Sequence, residues 1–185
     1  MTKFVKDKSA NILNFLAMNR IVTQFSQAEE GREQPAVGTL NISNETFAEF
    51  FYELNELEVH YLAIGYIAGA YHGYPRACGS VELWLAYDDE NLKKLQHLLH
   101  LGPWLNTSEE GQRVKFRGET FNLTTYLRLL HYSQHEFYRC YAEAESAIIL
   151  NTTIPVLGKR DFIREKMSSP RSEDRKMIEA LESHG

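Results

Sequence analysis

Between His60 and Ala86 the chain reads HYLAIGYIAGAYHGYPRACGSVELWLA, and this stretch limits the possible fold more than any other. Tyr61-Leu62-Ala63-Ile64 is a short apolar run closed by Gly65, and Tyr66 to His72 follows with small and aromatic residues at helix-compatible spacing. The pattern predicts a buried strand that turns sharply into a helix. Gly73, Pro75 and Gly79 then break the chain before Val81-Glu82-Leu83-Trp84-Leu85, a run rich in strand formers. Side chains alternate across a strand, so Ser80, Glu82 and Trp84 share one face while Val81, Leu83 and Leu85 share the other. The second face is apolar enough to bury. The first offers a hydroxyl and a carboxylate beside the strand-to-helix turn.

The rest of the chain surrounds this unit with amphipathic helices. Ile12, Phe15, Leu16, Met18, Ile21, Val22 and Phe25 fall largely on one stripe, which predicts a helix over Asn11 to Phe25 that either docks on its own domain or offers a surface to another chain. Ala28 to Gly38 is polar and punctuated, and reads as a loop. Ser43 or Asn44 can cap a helix carrying Phe47, Phe50, Phe51, Leu54 and Leu57 at spacings of three and four. Asp88 or Asp89 caps another, with Leu92, Leu95, Leu98 and Leu99 inward, stopped by Gly102 and Pro103. Arg113 to Phe116 and Thr120 to Thr125 flank Arg117-Gly118-Glu119 and predict a hairpin. Ile154 to Leu157 reads as a further strand, and Ser172 to Leu181 as a last helix with Met177, Ile178 and Leu181 inward.

Composition narrows the class. A chain of 185 residues suits one domain, and 43% apolar with 24% charged residues is ordinary for a globular protein. A net charge of -5 argues against a surface devoted to nucleic acid, which needs many phosphates neutralised, and leaves room only for a local basic patch. Cys78 and Cys140 are too few for a disulfide framework and are expected as reduced thiols in a cytoplasmic protein. No stretch approaches the ~20 apolar residues of a membrane span, and Asn14, Asn19 and Arg20 interrupt the N-terminal segment, so neither a signal peptide nor a membrane partner is expected.

The central stretch resembles the minimal nucleotidyltransferase superfamily, in the branch that includes AbiEii-type toxins and small bacterial relatives of polymerase-beta-like enzymes. In that branch an apolar strand ends in Gly-Gly or Gly-Ser and a short helix follows. Then comes His-Gly-x-x-Arg-x-Thr-x-Asp-x-Asp, whose two aspartates hold the metals. Gly65, Ala68, His72, Gly73, Arg76, Gly79 and Leu83 match that frame without gaps. Ile154-Pro155-Val156-Leu157, Asp161-Phe162-Ile163, Lys166, Arg171 and Asp174 are similar to the family's closing pattern of strand, helix and last helix. The likeness runs from about Ser43 to Leu181. It implies an α/β nucleotidyltransferase fold, with a small mixed twisted sheet flanked by helices. It also implies a helical extension and loop at residues 1–38 ahead of a nucleotidyltransferase-like domain at residues 39–185.

The resemblance also assigns positions. Gly65, Tyr66, His72, Arg76, Lys166 and Arg171 fall where the family meets its nucleotide, and Ser80, Glu82 and Asn122 fall where it carries three metal-binding carboxylates. Tyr66 replaces the second small residue of the phosphate turn, Ser80 and Glu82 replace the two aspartates, and Asn122 replaces the third. Glu82 alone remains as a metal ligand. Nucleotidyl transfer uses two divalent cations roughly 4 Å apart, and magnesium prefers several anionic oxygens. A unit charge 4 Å from another is worth roughly 4 kcal/mol at an effective dielectric near 20, so two missing carboxylates lower metal occupancy by powers of ten.

The expectation is therefore a catalytically degenerate binding or interaction module that retains weak recognition of a nucleoside triphosphate. The alternative is an active enzyme using magnesium or manganese to transfer a nucleotide to an RNA, protein or small-molecule hydroxyl. A toxin-like or defence-associated component would act through a protein partner or as a homodimer, with Asn11 to Phe25 as the docking element. His131 and His135, four apart on an expected helix with Glu136 beside them, have the spacing of a two-histidine metal pair but not the His-Glu-x-x-His order of a zinc-protease motif. Ser80 has no histidine base at a recognisable spacing. Lys166, Arg171 and Asp174 read foremost as an ion-pair cluster that fastens the last helix.

Overall fold

The computed structural model describes residues 8–30, 40, 42–74, 79–100 and 111–183. In chain order the helices are α1 (Ser9–Glu30), α2 (Asn44–Glu56), α3 (Gly65–His72), α4 (Asp89–Leu98), α5 (Phe137–Ala142), α6 (Lys159–Met167) and α7 (Ser172–Ser183). The strands are β1 (Tyr61–Ala63), β2 (Ser80–Leu85), β3 (Gln112–Phe116), β4 (Glu119–Tyr126), β5 (Glu145–Ile149) and β6 (Thr152–Val156). They form one mixed sheet in the order β3-β4-β2-β1-β6-β5. The pairs β1–β2, β3–β4 and β5–β6 are antiparallel, whereas β1–β6 and β2–β4 are parallel. The expected α/β architecture, a mixed sheet flanked by helices, is the one observed.

Local chemistry accounts for the elements. The side chain of Ser43 accepts from the Thr46 amide at 3.1 Å and starts α2, whose Phe47, Phe50, Phe51 and Leu54 are buried. Phe50 stacks edge-on against Phe116 and Phe121 at 5.7 and 5.3 Å, and Phe51 meets Tyr61 at 5.5 Å, so α2 covers one face of the sheet. The side chain of Asp88 accepts from the Asn91 amide at 2.7 Å and starts α4. Asn91, buried on that helix, donates to the His60 and Ala86 carbonyls and accepts from the His60 amide, tying the outer ends of β1 and β2 together. The β3–β4 turn is Arg117-Gly118, both at positive φ (50° and 87°), the conformation that a two-residue hairpin requires.

Several expectations change. The N-terminal helix runs on to Glu30, so the polar stretch from Ala28 begins as helix, and residues 31–38 lie outside the described ones. Leu95 on α4 and Leu99 just past its end are buried, while Leu92 and Leu98 are only partly so. His131 and His135 do not share a helix, because only Gln134–Glu136 forms a single 3-10 turn there. The β5–β6 hairpin was not anticipated. Its turn is Leu150-Asn151 at φ 46° and 67°, a left-handed pair with no glycine to announce it. Finally, the Ser80–Glu82–Trp84 face is not open at its far end. Trp84 is fully buried, stacked on Tyr132 at 6.1 Å and met edge-on by Phe137 at 5.2 Å.

A short polar triad locks the segment that covers Trp84. The Tyr132 hydroxyl donates to Asp161 at 2.6 Å, and Arg139 donates to both Asp161 oxygens at 2.9 and 3.4 Å. Burial acts to raise the Asp161 carboxyl, but the hydrogen bonds from Arg139 and Tyr132 outweigh it and hold the group below its ordinary range. Burial, reinforced by Asp161, pushes the Tyr132 phenol up to about 12. The pair therefore stays carboxylate and neutral phenol at all physiological pH.

Candidate functional site

The turn at Gly65 is built by three strands. Ala63 lies opposite Leu83 on β2, so the next residue, Ile64, comes level with Glu82 and donates its amide to the Glu82 carbonyl at 3.0 Å. On the other side the Leu157 amide, just past β6, donates to the Ala63 carbonyl at 3.0 Å. The chain leaves Ile64 in an extended conformation and enters α3 through Gly65 at φ +58°, with no side-chain cap on the new helix. Glycine is required here for two reasons. The left-handed backbone disfavours a β-carbon, and a β-carbon would coincide with a carboxylate oxygen of Glu82. The Glu82 carboxylate thus lies directly against the first residue of α3, at the positive end of the helix.

Glu82 is half-buried in the wall of a cleft of about 620 Å³. Ile64, Leu127, Leu129, Leu157 and Phe162 supply its apolar wall, while Lys166, Arg171 and Asp174 cluster with Glu82. Lys166 comes from the last turn of α6 and pairs with Asp174 of α7 at 3.2 Å. Burial raises the Glu82 carboxyl above its ordinary range and Asp174 adds to this, while Lys166 and Arg171 act in the opposite direction. The cleft thus sets two carboxylates, Glu82 and Asp174, beside two cations, Lys166 and Arg171. It favours an incoming anion at Lys166 and Arg171 and disfavours one at Glu82.

The loop that forms the second wall is fastened to α6 by carboxylates. Glu165 accepts the Leu130 and His131 amides at 2.8 and 2.7 Å, and Asp161 holds Tyr132. Arg128 lies on this loop and is exposed at the cleft. These loop residues had no signal in the sequence, because an apolar run held by side-chain-to-backbone bonds has neither helical nor strand periodicity.

The expected site residues divide into two groups. Gly65, Glu82, Lys166 and Arg171 line the cleft together. Ser80, Tyr66, Asn122 and His72 are not among its lining residues. Ser80 accepts from the Thr124 hydroxyl at 3.2 Å, and Asn122, its neighbour in the parallel register, is exposed. The residue level with Glu82 on β4 is Thr124 rather than Asn122. Tyr66 is half-buried against the core.

His72 lies at the far end of α3. Its Nε2 is 2.8 Å from the Leu157 carbonyl and must carry the hydrogen, while its buried Nδ1 faces Glu145 at 3.9 Å. Glu145 also binds Lys8 at 2.6 Å. Burial lowers the His72 pKa, so the ring is neutral and structural at neutral pH. Arg76 lies outside the described residues, as does Cys78. Cys140 is buried, and burial pushes its thiol up to about 11, which removes it as a nucleophile.

Among the described residues, no group of three His, Cys, Asp or Glu side chains is placed to hold a metal ion. Within the cleft, Asp174 is engaged by Lys166, and both Glu165 oxygens accept backbone amides. No described helix is long and apolar enough to cross a membrane.

No family model matches the chain, and no curated protein does. Among solved structures it is similar to an antigenic nucleotidyltransferase-like protein from Paracoccidioides brasiliensis. The TM-score is 0.49 and the identity 14%, over 75% of this chain and 74% of that one.

Proposed function

We propose that the chain is a nucleotidyltransferase-fold protein that has lost its catalytic metal pair and keeps its cleft as a binding module for an anionic ligand, a weakly held nucleoside triphosphate. One observation carries this reading. Across the face that β2 and β4 turn toward the Gly65 turn, Glu82 is the one carboxylate, with Ser80 beside Asn122 and Thr124 beside Glu82. Neutral oxygens at those positions leave a divalent pair without most of the charge it needs. The order of elements supports the family assignment. An apolar strand, a glycine turn, a short helix and an antiparallel strand carrying Glu82 follow one another as the resemblance implies. Lys166 and Arg171, which the resemblance gives to the nucleotide, reach the same cleft as Gly65.

A second reading, an active metal-dependent transferase, draws on Asp174, which lines the cleft near enough to Glu82 to raise its pKa. Recruiting it would require breaking its 3.2 Å pair with Lys166. The two readings separate in one assay, in which each nucleoside triphosphate is titrated with magnesium or manganese beside a labelled-nucleotide transfer reaction. The binding-module reading expects weak binding, lowered by Lys166→Ala and Arg171→Ala, and no transfer. Metal-dependent transfer that disappears in Glu82→Ala would establish the enzyme instead.

A further inference from the structure

We propose that the Glu82 carboxylate is a built-in anion that occupies the Gly65 turn and holds down the affinity of the cleft for external polyphosphate, so that metal-free anion binding strengthens when Glu82 is neutralised. The inference rests on the binding-module reading and assigns its regulation. Three observations converge on it.

A carboxylate oxygen of Glu82 takes the volume that a β-carbon on Gly65 would fill, so an incoming phosphate oxygen cannot enter that space while the carboxylate stays. α3 begins there without a side-chain cap, and the positive end of the helix favours a negative group. The cations that would greet an external anion, Lys166 and Arg171, are the same ones that act on Glu82. Asp174 already engages Lys166 at 3.2 Å, so an external anion must compete with two internal carboxylates for two side-chain cations.

Neutralising Glu82 removes a repulsion and returns the turn to the ligand. The sign is opposite to that of a metal ligand, whose loss weakens triphosphate binding.

The test is isothermal titration of the full chain with inorganic tripolyphosphate and with ATP, in chelator and then in magnesium. It compares wild type, Glu82→Gln, Glu82→Ala, Lys166→Ala and the double variant Glu82→Gln/Lys166→Ala. Thermal melts confirm that each variant is folded. In chelator, Glu82→Gln and Glu82→Ala are expected to bind tripolyphosphate on the order of tenfold more tightly than wild type. The double variant is expected to lose that gain. Equal or weaker binding by both Glu82 variants, with wild-type binding that still depends on Lys166, would overturn the built-in anion and leave the binding module standing. Binding by wild type only in magnesium, lost in Glu82→Gln, would overturn both in favour of a metal site. No binding by any form under either condition would also overturn both.

Discussion

Gly65 and Glu82 are best understood as one unit, because the space that the glycine leaves empty is the space that the carboxylate fills. Gly65→Ala meets two penalties, a left-handed backbone at φ +58° and a collision with Glu82, and is expected to cost about 2–3 kcal/mol. Only the second penalty can be relieved from across the turn. In a double-mutant cycle read by urea denaturation, Glu82→Ala should recover about 1 kcal/mol or more of the loss. Strict additivity would mean that the carboxylate does not rest on Gly65.

Asp161 makes a different residue-scale prediction, because its buried carboxylate is held below its ordinary pKa of 3.8 against burial by Arg139 and Tyr132. A group with a depressed folded pKa gives stability that is present above the unfolded value and lost as pH falls through the folded one. Wild-type stability should therefore fall steeply below about pH 4, and Asp161→Asn should be less stable at neutral pH but flatter across that acid range. Tyr132→Phe, which removes one hydrogen bond to a buried charge, should cost about 1.5–3 kcal/mol at neutral pH.

At the scale of elements, α1 shows what packing decides. Ile12, Phe15 and Leu16 are fully buried and belong to the same cluster as the sheet residues Leu62, Val81 and Ile154. Asn11 donates to the Tyr71 carbonyl at 3.2 Å, and the Ser9 hydroxyl accepts the Ile148 amide of edge strand β5 at 2.8 Å. Phe15→Ala should cost about 3–5 kcal/mol by thermal or chemical unfolding, the loss of a large core side chain, whereas a helix resting on the surface would lose far less. The helix itself was legible from its spacing, as were α2 from its phenylalanines and the β3–β4 hairpin from Arg117-Gly118, since each follows local periodicity or turn chemistry. The β5–β6 hairpin was not, because its Leu150-Asn151 turn adopts positive φ without glycine.

The candidate site was legible at its strand-to-helix end, where Gly65 and Glu82 announce themselves by residue type. It was not legible along the loop of Leu127 to Leu130, where long-range bonds from Glu165 set the shape. Register was not legible either. The resemblance assigned Asn122, and the parallel pairing of β2 and β4 sets it level with Ser80 and Thr124 level with Glu82. Pairing between strands so far apart in sequence leaves no trace in local pattern.

For the whole molecule, the question is whether the N-terminal segment is a separable docking arm or part of the fold. If it were an arm, a chain lacking residues 1–35 would keep its melting transition and lose only a partner or an oligomeric state. The packing argues for the other outcome. Removing α1 uncovers the side of α3 that it packs against and the inner part of β5, and leaves the Ile148 amide without its Ser9 acceptor. It also removes Lys8 from Glu145, whose second oxygen lies toward the buried ring of His72. Each fully buried large apolar side chain contributes roughly 1.5–3 kcal/mol, so losing Ile12, Phe15 and Leu16 together approaches the whole stability of a domain this size. The truncated chain should therefore aggregate or unfold without a cooperative transition, as read by circular dichroism and size-exclusion chromatography. A monomeric truncation with native melting behaviour would instead make α1 an accessory element and return it to the role of a partner surface.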